Sequence, residues 1–497
     1  MSHLLKNKKK KYFFLFKLII IFFILYLFIQ GTKSYTGNIF IYFIFSIVSS
    51  YLIIFGFRKN AIFFDTFFSI FLWLGFWFKF TCTIAFTDGL FREGGGSFDY
   101  KPKSFDDALL ISTYGIFAFL VAGFIREKLM FNYPNKIKID NNDKIFNSKY
   151  RKLIWIIFLT FTLSIGFLNF YFKIYQKGLL PIYDLNFLFS GIIKWLLLFG
   201  LASISSVLIF FEAKRLKKFF VFSSFVVFFE TFISSFSMLS RGMIFNAFAL
   251  LFGIYKFSNK INLKNNISYY LKFLLLIAIL FYISVAFVNY LRANYFYVGK
   301  SLIFSSKENK KLDTVIIEPD NAKKYSSLKE HNSELVYLVI NRWVGIDGVL
   351  AVSSKNEILN LDFLKNSLKE RADPKQPTFY ELTFNLKNKN LYDKNSTNIK
   401  GNTLPGIIAF CYYSGSILFL IISIISISLL SSLIEYIAFL SSKQNLIFSG
   451  LIGQVIAFRF IHFGYLPHQS YLLFSSIFLT ILFVYLLNVF IKKYRNQ

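Results

Sequence analysis

Runs of about twenty apolar residues with almost no charge recur along this chain, and each is long enough to cross a hydrocarbon layer ~30 Å thick as a helix. That pattern excludes a soluble fold. Only 16% of the 497 residues are charged and mean hydropathy is +0.53, whereas soluble chains carry roughly a quarter charged residues. The runs fall near 12–30, 38–57, 61–85, 106–125, 153–172, 186–211, 219–240, 242–258, 269–290, 413–436, 446–462 and 469–491. The expectation is an all-α polytopic membrane protein of about twelve transmembrane helices. The first run lacks the short apolar core and small-residue cleavage site of a signal peptide, so it is read as a retained helix.

Two numbers invite other readings. The net charge of +30 would suit a nucleic-acid binder, but the basic residues sit at the ends of apolar runs instead of on a soluble face, so no nucleic-acid partner is expected. The 69 Phe residues rise together with Lys, Asn and Ile, the signature of an A+T-rich coding sequence, and most are read as lipid-facing. Cys82 and Cys411 form no disulfide framework and no zinc spacing.

Basic residues then fix an orientation. The segments assigned to the cytoplasm hold 27 of them, including Lys6, Lys8 to Lys11, Arg58, Lys214 to Lys218 and Lys492, against about seven in the short external loops. By the positive-inside rule both termini are cytoplasmic. Residues 1–291 then carry the first nine helices, 292–404 a large external loop with short helices, and 405–497 the last three. The loop is periplasmic if the cell has two membranes. Within it, Glu334–Ser354 is apolar except at Asn341, Arg342 and Asp347, and crossing the bilayer would strand Arg342 near its centre. The stretch is read as a buried or membrane-dipping helix, and Leu404–Ser416 as a short interfacial helix. The two halves of the chain show no internal repeat, so transporter-like symmetry has no support.

Ionisable groups in or beside spans are costly and therefore informative. Arg241 ends the seventh span in SMLSRGMIFN, and Arg292 ends the ninth in NYLRANY. A guanidinium at such a place grips a phosphate or diphosphate, or simply anchors the helix. Arg459 and His462 are three apart and share a helix face, with His468 following after GYLP. Three of the four histidines, His331, His462 and His468, lie outside in this topology; each is either an acceptor of a hydroxyl proton or a hydrogen-bonded interfacial side chain. Arg342 and Asp347 converge only if Gly345 and Gly348 break the helix; Asp347 is then a base or a partner holding Arg342. Lys194 and Glu230 are read as a buried structural pair, and Asp65 as solvated near the cytoplasmic end. Gly94–Gly96 has no strand-to-helix setting and is a loop, not a phosphate cradle. There is no phosphate-loop motif, HExxH, nucleophile elbow or Asp-x-Asp, so no cofactor and no metal are expected.

With SMLSRGMIFN, NRWVGIDGVLAVSS in the large loop, and TLPGIIAFCYYSGS leading into the next span, the chain resembles the O-antigen/oligosaccharide repeat-unit polymerases (the Wzy family). The layout, a dozen spans with one large late external loop, extends the resemblance over most of the chain. It implies a GT-C-like glycosyltransferase of the inner membrane that moves a growing glycan from undecaprenyl diphosphate onto a new carrier-linked repeat unit. It also implies diphosphate binding by Arg241, Arg292, Arg342 and Arg459, a base among His462, His468 and Asp347, and a chain-length regulator as a partner. The paired Arg-x10-Gly motif of some members is not met: Arg241 to Gly253 has eleven intervening residues. Two alternatives stay open, an O-antigen ligase with the same chemistry and a lipid-linked oligosaccharide flippase or transporter.

Overall fold

A computed structural model describes residues 2–87, 89, 91, 96–137, 148–177, 186–213, 219–260, scattered positions between 279 and 291, 340–370, 378–384, 404–464 and 467–495. Among these, all regular structure is helical. This is the expected outcome for apolar runs, because inside a bilayer each backbone polar group must be satisfied within its own segment. Helix starts coincide with side chains that accept the orphan amides of a first turn. Asn38 Oδ1 takes Phe40 N at 2.9 Å, Asn445 Oδ1 takes Ile447 N at 2.9 Å, and Ser416 Oγ takes Phe419 N at 3.3 Å.

The long helices are α1 (Ser2–Ser34), α2 (Ile39–Gly56), α3 (Phe63–Phe86), α4 (Pro102–Leu129), α5 (Ser148–Phe172), α6 (Leu188–Glu212), α7 (Phe219–Ser237) and α8 (Ile244–Lys260). After the large loop segment come the short α9 (Ile346–Ser353), α10 (Leu361–Leu368), α11 (Phe379–Thr383) and α12 (Gly406–Cys411). Then follow α13 (Ile417–Ser441), α14 (Leu446–Ile461) and α15 (Pro467–Arg495). Eight of these are long and apolar enough to cross a membrane, namely α2 to α7, α13 and the 470–489 part of α15, and two shorter apolar stretches, Leu18–Ser34 and Leu446–Ile461, accompany them. The protein is an α-helical membrane protein. Most of the span expected at 269–290 and most of 292–404 lie outside the described residues.

At the centre α14 packs against α3, α8 and α13, while α4 packs against α2 and α13. Small residues permit this close approach. A Cβ on Gly253 of α8 would stand 2.8 Å from Ile447 Cα, and one on Gly453 of α14 would stand 2.8 Å from Phe64 N.

One end of the bundle is tied by buried charge. Asp65 accepts from Arg58 and from Arg126, both at 2.7 Å, and Arg58 also reaches Glu127 at 2.9 Å. Glu435 of α13 caps α3 by accepting Phe63 N at 2.8 Å and Phe64 N at 2.6 Å, and Tyr133 donates to it as well. The sequence reading of Asp65 as solvated is thus overturned: it is 1% exposed. Two arginines make that burial tolerable.

Candidate functional site

The opposite end, which carries residues 340–370, 378–384 and 404–416, gathers most of the residues singled out above. Two turns are locked together first. Asn169, near the end of α5, donates to Tyr175 O at 3.0 Å, Ser237 O at 2.9 Å and Ser237 Oγ at 2.8 Å, while its Oδ1 accepts Tyr175 N at 2.8 Å. Lys177 N adds a bond to Met238 O at 2.9 Å. One amide side chain thus fixes the turn after α5 against the turn between α7 and α8. Arg241 opens a single 3₁₀ turn, Arg241–Met243, leading into α8. At Gly242 a Cβ would meet Phe458 Cζ at 3.7 Å and Lys177 Nζ at 3.8 Å, so Arg241 and Lys177 belong to one place.

A second device holds the loop segment. Helix α3 contains a π-type turn at Trp73–Phe78, a feature that inserts one residue and often marks functional sites. Lys79 follows it, buried, and its amine donates to Asn341 O at 2.9 Å, to Trp343 O at 3.0 Å and to the Asp347 carboxylate. Gly75 and Gly345 let the backbones touch: a Cβ on Gly75 would lie 2.2 Å from Val344 O. Helix α9 then runs buried against α4, α12 and the π turn. The chain is not helical at Trp343–Val344, so the expected continuous helix over Glu334–Ser354 is broken, with 334–339 outside the described residues. Arg342 is left exposed at the surface of this latch. Residues 405–414 are buried against the bundle, and Gly406 N donates to Phe463 O at 3.1 Å with φ +77°, a conformation that favours glycine.

The end of α14 completes the site. Phe458 lies 5.8 Å from Phe71 and 5.4 Å from Phe245, and Trp343 lies 6.0 Å from Phe245. These rings form a floor. Lys177 Nζ stands 6.0 Å over Phe458, and the Arg459 guanidinium clasps Ser470 Oγ at 2.9 and 2.6 Å. His462, just past the last helical residue Ile461, stacks on Phe458 at 4.1 Å, and its Nδ1 meets Phe458 O at 3.0 Å. A carbonyl only accepts, so Nδ1 carries the proton and Nε2 is the acceptor. Burial first, and then the charges of Lys177, Arg459 and Arg342, push the imidazole pKa down to about 4, against the pull of the Phe458 carbonyl. His462 is neutral at pH 7.

The structure therefore brings together Arg241, Arg342, Arg459 and His462. Asp347 pairs with Lys79 and not with Arg342. The expected Lys194–Glu230 pair is absent: Glu230 accepts from Ser234 at 2.9 Å and Thr231 at 3.3 Å, while Lys194 lies over the Tyr175 ring at 5.6 Å. Arg292, His331, Gly94, Gly95 and the side chain of His468 lie outside what is described; the backbone of His468 sits in the first turn of α15. Sequence reasoning missed Lys79 and Lys177. Lys79 was detectable by the same rule that picked out Lys194, a charge inside an apolar run. Lys177 had no signal beyond its place in a short loop. Comparison with protein families, curated proteins and solved structures finds no match.

Proposed function

We propose that the protein is a twelve-span, GT-C-like glycosyltransferase of the cytoplasmic membrane, with both termini inside, that polymerises undecaprenyl-diphosphate-linked repeat units on the outer face. What supports the reading is the convergence of Lys177, Arg342 and Arg459 around a neutral imidazole on an aromatic floor, with Arg241 next to Gly242 in the turn beside Lys177 and Phe458. In the proposed reaction an acceptor hydroxyl attacks the anomeric carbon of the donor glycan as the bond from that carbon to the diphosphate oxygen breaks. The hydroxyl proton passes to Nε2 of His462, and the electron pair leaves with the diphosphate, whose growing charge the four cations neutralise. Charge stabilisation of this kind is worth about 10²–10³ per donor removed, and a placed base about 10²–10⁴.

The test is the full chain with a synthetic undecaprenyl-diphosphate repeat unit, analysed for glycan length on gels without nucleotide sugar. A ladder that shrinks by roughly 10²-fold in Arg342→Ala and Arg241→Ala is the expected result. Transfer only onto lipid A core would identify a ligase, and substrate crossing liposomes without any new glycan bond would identify a transporter.

A further inference from the structure

Helix α10 stands where the chain enters the membrane. A Cβ on Gly415 would lie 2.7 Å from Leu359 O, so the backbone just before α10 touches the chain two residues before α13 begins at Ile417. Phe363 of α10 lies 5.2 Å from Tyr413 on the same approach, and α10 also packs against α15. The first turn of α13 belongs to a run long and apolar enough to cross a bilayer, and Leu418 within it is 66% exposed. Contact with the entry of this span sets the height of α10 at the boundary between hydrocarbon and water.

Around its own axis the helix presents three faces, roughly a third of a turn apart at ~100° per residue. Phe363, Leu364 and Ser367 turn toward the protein. Leu364 and Ser367 are buried there, and Phe363 meets Phe379 at 5.0 Å and Phe384 at 6.1 Å. Asp362 and Asn366 form an exposed polar face. Leu361 and Leu368, seven residues apart and so nearly in line, form the third face, and they stay 54% and 38% exposed. Ile358, in the turn before the helix, adds a further exposed apolar side chain. A loop helix in water needs one face for the protein and one for solvent. A separate apolar face suits a corner where protein, lipid and water meet.

We infer that α10 lies in the membrane interface on the side of the basic cluster, with Leu361 and Leu368 seated where phospholipid headgroups meet acyl chains. Continuity with the lipid-facing start of α13 commits this face to phospholipid over a protein partner. Lys365 flanks the two leucines and holds its amine 3.3 Å from Asp362, so its stem can lie along the apolar face while its charge stays on the wet side. Around the face, Glu357 and Asp362 balance Lys365 and Lys369, so a zwitterionic bilayer is enough. This placement is independent of the proposed glycosyl transfer.

The experiment uses the full chain in phosphatidylcholine nanodiscs, with an environment-sensitive fluorophore on Leu361→Cys, Leu368→Cys or Asn366→Cys. Both native cysteines are buried. Lipid brominated high in its acyl chains should quench the labels at 361 and 368 roughly threefold more than the label at 366, and iodide in the buffer should give the reverse order. Leu361→Glu with Leu368→Glu should then cut bromine quenching of a label on Ile358→Cys about threefold, with the thermal midpoint in detergent unchanged. Iodide quenching at all three helix positions without any response to bromine puts the face in water and overturns the inference. Protection from both quenchers overturns it as well, in favour of a protein cover, either a second copy or another segment of this chain.

Discussion

His462 shows how much one side chain depends on its surroundings. From the sequence it was a scarce histidine near a span end; in the fold, a backbone carbonyl fixes its tautomer, and burial first, then three cations, hold it neutral. A bound diphosphate would offset those cations, the smaller part of the shift, so the pKa should rise from about 4 while burial still holds it below the ordinary ~6.5. Titration of His462 by NMR in detergent should give a low midpoint that moves up by at least one unit on adding inorganic pyrophosphate. A midpoint that stays put would mean that no diphosphate sits beside the ring. The sign for stability follows as well. A histidine depressed in the fold contributes stability that is complete above its unfolded pKa and lost as pH falls through ~6.5 toward 4.

Among the elements, the latch between α3 and the 341–347 segment is the most exacting. Lys79 and Asp347 are a buried pair, and breaking such a pair from one side costs ~3–5 kcal/mol because a charge is left uncompensated. Lys79→Met should lower the thermal midpoint in detergent sharply, and Lys79→Met with Asp347→Leu should recover most of that loss. Glycan transfer would stay low in the double variant, since the bonds to Asn341 O and Trp343 O that hold Arg342 in place are gone. Recovery of both properties would show that the latch only stabilises the fold. This partnership was not legible in the sequence, because the two residues are 268 positions apart and periodicity speaks only of neighbours along a helix. The helices themselves were legible. Polar caps such as Asn38, Ser416 and Asn445 bound apolar runs at positions that the sequence marks openly.

For the whole molecule, the distribution of charge predicts an orientation that chemistry can check. Both native cysteines are buried and unpaired, so introduced ones can be read against a quiet background. Exposed Lys59→Cys should react with an impermeant maleimide only after cell lysis, while Lys103→Cys and Glu357→Cys should react in intact cells or spheroplasts. The reverse pattern would invert the topology and move the basic cluster to the cytoplasm. Eight of the spans were legible because apolar length is a local property. The convergence of four cations was not, since it depends on how Asn169, Lys79 and α14 fold distant turns onto one another. Helix α3 joins the two ends of the bundle, anchored by Phe63 and Phe64 on Glu435 and by Lys79 on Asp347. The number of residues between those anchors is therefore a phase as well as a length. Each residue of an α-helix advances by ~100°, so losing one from the α-helical part, Phe63–Leu72, would swing Lys79 away from the loop while shortening the span by only ~1.5 Å. Along this helix, an insertion or deletion acts as a rotation.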